Sequence, residues 1–259
     1  MSQLAGKTAL ITGGGTGIGE AIAIDLAGAG VRTIICGRRA DPLEDTVKKI
    51  ESDGGKASYL LADMADPESI EILARDILAQ GGVDILVNNA GFSSKVRSVR
   101  YISAEEWRAV MDVNTMGPAM LTRMLLDSMI ERGAADVVLI SSLSAYYPSV
   151  MAGAAYSAAK VAARSYMSVL SAEVKQFGIR CLTVFPGEVD TPILDKRALV
   201  PGKAERTTML QSEDVSAAVM SALNLPQRAN IFEIAIAPTE ARDLSKDMKA
   251  AMTKKTVED

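Results

Sequence analysis

The feature that most restricts the fold of this chain is the alternation of two hydrophobic periods. Short, mostly continuous apolar runs rich in β-branched residues recur at Thr8–Thr12, Val31–Cys36, Ala57–Leu61, Val83–Asn88, Asp136–Ser141, Ile179–Phe185 and Ile231–Ile236. Between them lie longer stretches of helical pattern: Gly17–Ala29, Asp41–Asp53, Asp66–Gln80, Ser103–Val113, Pro118–Arg132, Ala154–Phe177 and Ser212–Asn224. A strand that is apolar throughout has to be covered on both faces, which is the condition inside a parallel sheet. Strands alternating with helices wind as right-handed crossovers. The expected fold is therefore α/β, a doubly wound parallel sheet of seven strands with helices on both faces, in a single domain. Helix starts carry their own chemistry. Asp66 precedes Pro67 and Glu68, and Ser103 precedes Ala104, Glu105 and Glu106, so a side-chain oxygen is at hand to cap the first free amides.

No break in composition marks a linker, so residues 1–240 read as one domain, with a substrate loop near 190–210 where Pro, Gly and charges mix. Loops of that length in compact domains are usually functional. Residues 241–259 read as a charged C-terminal tail, either a surface helix or a frayed end.

Composition excludes more than it proves. The net charge is −4 and the basic residues are scattered, which argues against nucleic acid as a partner. No apolar run approaches the roughly 18 residues that span a bilayer, and Met1–Lys7 hold no apolar leader, so a cytoplasmic location is expected. Histidine is absent. That removes histidine bases, Ser-His-Asp triads and the commonest metal ligand. The two cysteines, Cys36 and Cys181, fall in strand-like runs and read as buried free thiols in a reducing compartment; no metal site is expected.

The first strand runs into Thr12-Gly13-Gly14-Gly15-Thr16-Gly17-Ile18-Gly19, and a helix follows. Glycines there allow a tight turn and close backbone approach to an anion, and the helix start offers free N–H groups and a positive dipole end. The spacing Gly13, Gly17, Gly19 differs from the common G-x-G-x-x-G dinucleotide fingerprint.

Further motifs follow in order: Asn88-Asn89-Ala90-Gly91 after the fourth strand, Asn114 on a helix, Ser141-Ser142 after the fifth strand, Tyr156-Ser157-Ala158-Ala159-Lys160, and Pro186-Gly187 with Val189, Thr191 and Pro192. With the glycine loop, this series resembles the short-chain dehydrogenase/reductase family, in its branch of about 250 residues. The resemblance implies a Rossmann-type fold and a nicotinamide cofactor. It implies cofactor contacts from Thr12, Gly13, Gly15, Thr16, Gly17, Ile18 and Gly19, from Asp63 and Met64, from Asn89, Ala90 and Gly91, from Pro186, Gly187, Val189 and Thr191, and from Tyr156 and Lys160. Asn88 is expected near the nicotinamide ribose.

In relatives that select NAD, an acid at the end of the second strand holds the ribose 2′-hydroxyl. Here that strand ends Cys36-Gly37-Arg38-Arg39. A guanidinium binds a 2′-phosphate bidentately, where a carboxylate would repel it. Arg38 and Arg39 therefore favour NADP(H), with NAD(H) as the alternative.

Reduction of a carbonyl leaves a developing alkoxide that needs a proton. Tyr156 and Lys160 are spaced i, i+4 and share a helix face. A nearby ammonium stabilises phenolate, so Lys160 is expected to lower the Tyr156 pKa. The resemblance adds roles: Lys160 on the nicotinamide ribose, Ser142 on the substrate oxygen, and Asn114 holding a water in a proton relay. Ser142 stands one residue further from Tyr156 than is common in the family, which leaves Ser141 and Ser144 as alternatives. The substrate pocket is expected from Ser144, Tyr147, Met151 and Glu188, with Val150 in an apolar wall. Lys95 and Arg97 are either anchors for a substrate anion or solvated loop charges; the sequence favours solvated charges.

The resulting expectation is an oxidoreductase acting on a carbonyl or secondary alcohol, of which a small hydroxy acid or ketone is one candidate. A ketoacyl thioester reductase and a sugar or polyol dehydrogenase stay open, as does a non-catalytic dinucleotide sensor on the same fold. The family's habit of pairing long helices implies a homo-oligomer, a tetramer or dimer.

Overall fold

Seven strands are present, β1 (Thr8–Thr12), β2 (Arg32–Gly37), β3 (Lys56–Leu61), β4 (Ile85–Asn88), β5 (Asp136–Ile140), β6 (Arg180–Pro186) and β7 (Glu233–Ile236). The structure is a computed structural model, and it describes residues 3–256. All strands pair in parallel, in the order β3-β2-β1-β4-β5-β6-β7. The helices are α1 (Gly17–Gly28), α2 (Ala40–Ser52), α3 (Pro67–Ala79), α4 (Ala104–Met111), α5 (Gly117–Arg132), α6 (Ala154–Val174), the short α7 (Lys203–Arg206), α8 (Ser212–Leu223) and α9 (Ser245–Thr253).

The continuous apolar runs are explained by two cores, one on each face. Successive residues of a strand point to opposite sides, so Ile11, Ile35 and Val138 pack with α1, α2 and α8 through Ile22, Leu43 and Val219. Their neighbours Leu10, Ile34 and Val137 pack with α3, α5 and α6 through Leu73, Leu125 and Met167. The capping residues read from the sequence are in use. Asp66 accepts from the Glu68 amide at 3.1 Å and Ser103 from the Glu106 amide at 3.1 Å. Cys36 and Cys181 are buried free thiols, and burial pushes both up to about 12. Among the described residues, no helix is long and apolar enough to cross a membrane.

Two expectations need correction. The helices expected at Ser103–Val113 and Pro118–Arg132 are one continuous run, joined through a π-helical turn at Asp112–Met116. Pro118 suggested a break, yet it sits directly after the π turn, where the helical hydrogen-bond ladder already changes register and a missing N–H can be absorbed. Gly117 lets this turn lie against the Met64 carbonyl, which a Cβ would strike. The region after β6 is also more ordered than a long loop. A 3-10 turn covers Pro192–Lys196, and the Leu210 amide returns to the Glu188 carbonyl at 3.0 Å.

At the end of the sheet opposite the glycine loop, Asp136 and Arg180 open β5 and β6 side by side. Both are buried. Arg180 Nε donates to Asp136 Oδ1 at 2.6 Å, and its two Nη atoms donate to the carbonyls of Leu223 at the end of α8 and of Leu225 and Ala229 beyond it. Removing one partner of such a pair leaves a buried charge uncompensated, at a cost of about 3–5 kcal/mol. Asp136→Asn should lower the unfolding free energy by that order in a urea titration. A loss well below 1 kcal/mol would mean that other contacts hold these strand ends.

Candidate active site

The strand order reverses between β1 and β4, so the loops leaving these two strands diverge. A crevice opens there, outside the carboxyl ends of the strands. It continues into a cavity of about 770 Å³. Gly13 and Gly17 have φ of +67° and +60°, a conformation that side chains resist. Gly19 is closed for a different reason, since a Cβ would strike the Gly13 carbonyl and the Asn89 amide. The crevice is pinned by Thr12 and Asn89. Thr12 Oγ1 accepts from the amides of Asn89 (3.0 Å) and Ala90 (2.9 Å), while Asn89 Nδ2 donates to the carbonyls of Thr12 (2.8 Å) and Gly13 (3.2 Å).

Gly13, Gly15, Thr16, Gly17 and Ile18 line the cavity with Arg38, Arg39, Asp63 and Met64. Asn89, Ala90, Gly91, Pro186, Gly187, Val189 and Thr191 also face it. Three expected contacts stand behind the wall instead. Thr12 and Gly19 shape the loop, and Asn88 is buried, donating from Nδ2 to Thr122 Oγ1 at 3.0 Å. Thr16 makes no side-chain cap at the start of α1, so the first-turn amides keep their capacity for an anion. Arg38 is exposed, with Nη1 4.0 Å from Asp63 Oδ2.

At the other end of the cavity, α6 presents Tyr156 and Lys160. Lys160 is buried; Nζ donates to the Ile140 carbonyl at 3.0 Å and lies 5.5 Å from the centre of the Tyr156 ring. Burial lowers its pKa to about 8. Tyr156 is half-buried, and desolvation raises its hydroxyl above the ordinary range, against the pull of the Arg97 charge, a hydrogen bond with Ser142 and the Arg197 charge. The expectation that Lys160 would lower this pKa is therefore corrected: the charges that act on the phenol are those of Arg97 and Arg197, and desolvation outweighs them.

Ser141, Ser142 and Ser144 all line the cavity, and Ser142 is the one bonded to Tyr156. Its Oγ also accepts from the Ser144 amide at 3.2 Å. Asn114 lies in the π-helical turn, and its Nδ2 donates to the carbonyls of Phe92 (2.7 Å) and Val110 (2.8 Å). It does not reach the cavity wall. A Cβ on Gly91 would lie 3.5 Å from Asn114 Oδ1 and 4.0 Å from Lys160 Nζ, which places both behind the same glycine.

Tyr147, Met151 and Glu188 line the cavity as well, while Val150 points to solvent. Glu188 is not a free carboxylate. Arg197 Nη1 reaches its Oε1 at 2.6 Å and Arg242 Nε its Oε2 at 2.9 Å. Burial would raise its pKa, but these two guanidinium groups outweigh that and hold it low. Arg242 also grips buried Asp247 of α9 through both oxygens, at 2.9 and 2.8 Å. The segment after β7 is thus folded onto the cavity mouth rather than frayed. Arg197, Arg242 and Asp247 were not apparent from the sequence, where they are isolated charges far apart. Arg97 needs the clearest correction. It is buried, with 6% of its surface exposed, and it lines the cavity.

Residues 7–199 match the family model described as short chain dehydrogenase. An uncharacterized oxidoreductase of Staphylococcus aureus is 31% identical over 243 residues, covering 92% of this chain and 100% of that protein. An alcohol dehydrogenase from the archaeon Thermococcus sibiricus, complexed with 5-hydroxy-NADP, superposes with a TM-score of 0.82 at 28% identity, covering 92% of this chain and 98% of that one. A 3-ketoacyl-(acyl-carrier-protein) reductase from Brucella melitensis, complexed with NADH, gives 0.80 at 27% identity, covering 90% and 98%. The chain belongs to the short-chain dehydrogenase/reductase family of oxidoreductases.

Proposed function

We propose that the protein is an NADP(H)-dependent oxidoreductase that interconverts a carbonyl and a secondary alcohol, with Tyr156 as proton donor and acceptor. The observation that carries this reading is the placing of Tyr156, Ser142 and Lys160 in one cavity with the glycine loop. The cavity fits a dinucleotide: glycines where a Cβ would meet backbone, an uncapped helix start, and two arginines at the far rim. NADP(H) bound there supplies or accepts the hydride. Ser142 holds the substrate oxygen beside the Tyr156 hydroxyl, which gives its proton to the alkoxide or takes one from the alcohol. Lys160 binds the ribose hydroxyls and carries positive charge toward the phenol. Asn114, beside Lys160 behind Gly91, orders the water end of the proton path. The substrate in this reading is a small hydroxy acid or ketone, for which the wall between Ser144, Tyr147 and Met151 offers both polar and apolar contacts.

Replacing a positioned proton donor typically costs about 10²–10⁴ in rate. Tyr156→Phe should lose turnover on that scale and keep NADPH binding; full activity would sink the assignment, and an inactive wild type that binds NADPH would favour a sensor. The raised phenol sets the sign of the pH dependence. Alcohol oxidation needs phenolate and should climb through the alkaline range, whereas carbonyl reduction needs the protonated form and should hold until the phenol ionises. An oxidation profile that is flat above neutral pH would point to another base.

Arg38 and Arg39 take the 2′-phosphate in this reading, and no acid stands at Gly37 to hold a ribose hydroxyl. Charge-assisted hydrogen bonds are worth about 1.5–3 kcal/mol, so Arg38→Leu should weaken NADPH roughly ten- to a hundredfold and leave NADH unchanged. Equal loss for both, or a wild-type preference for NADH, would overturn the choice.

The reading includes a homo-oligomer, because Val161 and Val169 leave apolar surface exposed on α6. Light scattering should give a mass well above the 27.4 kDa of one chain; a clean monomer would refute it.

A further inference from the structure

Six buried side-chain atoms find no hydrogen-bond partner among the described residues: Asn88 Oδ1, Ser93 Oγ, Arg97 Nε, Ser141 Oγ, Ser144 Oγ and Ser157 Oγ. Four of these belong to residues that line the cavity, namely Ser93, Arg97, Ser141 and Ser144. Buried polar groups without partners are rare in folded proteins. These four atoms are themselves covered, but their residues border the cavity, so polar side chains that the chain has not fully paired gather along one wall.

Arg97 differs from the serines because it is charged. Its Nη1 donates to the Ala152 carbonyl at 2.6 Å and its Nη2 to the Lys196 carbonyl at 3.3 Å. A guanidinium has five N–H bonds, so further donors stay unused, that of Nε among them. Arg197 and Arg242 share Glu188 and Asp247, but no carboxylate of the described residues pairs with Arg97. Two carbonyls orient the group without neutralising it. Gly153 shows that the position is built for this side chain. It has φ of +84°, and a Cβ there would lie 2.9 Å from Arg97 Cδ. Only glycine lets α6 begin against the arginine stem, which puts the guanidinium near enough to Tyr156 for their charges to interact.

We infer that Arg97 is the anion anchor of the substrate site: the molecule reduced or oxidised here carries a carboxylate a short chain away from the reacting carbon, and the Arg97 guanidinium binds it. This rests on the proposed hydride-transfer reading and narrows it to keto acids and hydroxy acids. A carboxylate suits the site better than a phosphate. It is planar, carries one charge and matches the edge of a single guanidinium, and the neighbouring arginines are already paired.

The test is equilibrium binding of butyrate and of butyramide to the NADPH-loaded protein, read by nicotinamide fluorescence at fixed ionic strength. Wild type, Arg97→Met and Arg97→Lys are compared. Wild type should bind butyrate roughly ten- to a hundredfold more tightly than butyramide, on the scale of a charge-assisted hydrogen bond. Arg97→Met should abolish that difference and keep the affinities for NADPH and butyramide; Arg97→Lys should keep part of it. Equal binding of the two ligands to wild type overturns the inference without need of any variant, as does a preference that survives in Arg97→Met. Tighter binding of methyl phosphate than of butyrate overturns the choice of carboxylate. If NADPH itself does not bind, the functional reading fails and the inference falls with it. If NADPH binds and the acid is not preferred, only the inference fails.

Discussion

The site depends on a small hydrogen-bonded knot between two strand ends. In a doubly wound sheet the loops after β1 and β4 leave in different directions, and the backbone groups between them need partners. Thr12 and Asn89 supply these. The threonine hydroxyl accepts two amides from the β4 loop, and the asparagine amide returns to two carbonyls of the β1 loop. Four bonds thus set the width of the crevice. They also hold the glycine loop in its left-handed turns at Gly13 and Gly17. Neither residue needs to touch a ligand at that knot for its loss to spread through the crevice.

The reactive end is held by a second device. Asn114 inserts its amide between the Val110 and Phe92 carbonyls. A side chain that bonds its own helix competes with the backbone ladder, and the helix widens into a π turn there, a deviation often found at functional sites. Across Gly91, α6 brings in Lys160 and Tyr156. The surroundings raise the tyrosine and lower the lysine, so both are pushed toward their neutral forms. A phenolate is then stable only where compensating charge and hydrogen bonds meet it, which here come from Arg97, Ser142 and Arg197.

The cavity mouth is closed by charges that come from four separate elements. Glu188 follows β6, Arg197 ends the 3-10 turn, Arg242 follows β7 and Asp247 lies on α9. Pairing two arginines with two carboxylates makes this burial tolerable, where single ions would not be. The network converts the C-terminal segment into part of the wall and leaves Arg97, buried beside it, without a carboxylate partner among the described residues.

The sheet was legible in the sequence because strand and helix periods differ, and because the central strands are apolar enough to need cover on both faces, while the edge strands β3 and β7 stay partly exposed. The glycine loop was legible because a tight turn before a helix is a local pattern, and Tyr156 and Lys160 because they fall in their place within the ordered series of motifs that resembles the family. The join between α4 and α5 was not, since Pro118 signals a break equally well whether or not a π turn precedes it. Arg97 read as a solvated loop charge because its burial comes from Gly153 and the 3-10 turn after β6, far along the chain. The rim arginines were invisible for the same reason. The sequence by itself therefore determined the fold, which follows from periodicity, and the family, which follows from the order of its short motifs. Tertiary structure alone decided which charges are neutralised and which face the substrate, because burial and ion pairing depend on the packing of distant segments.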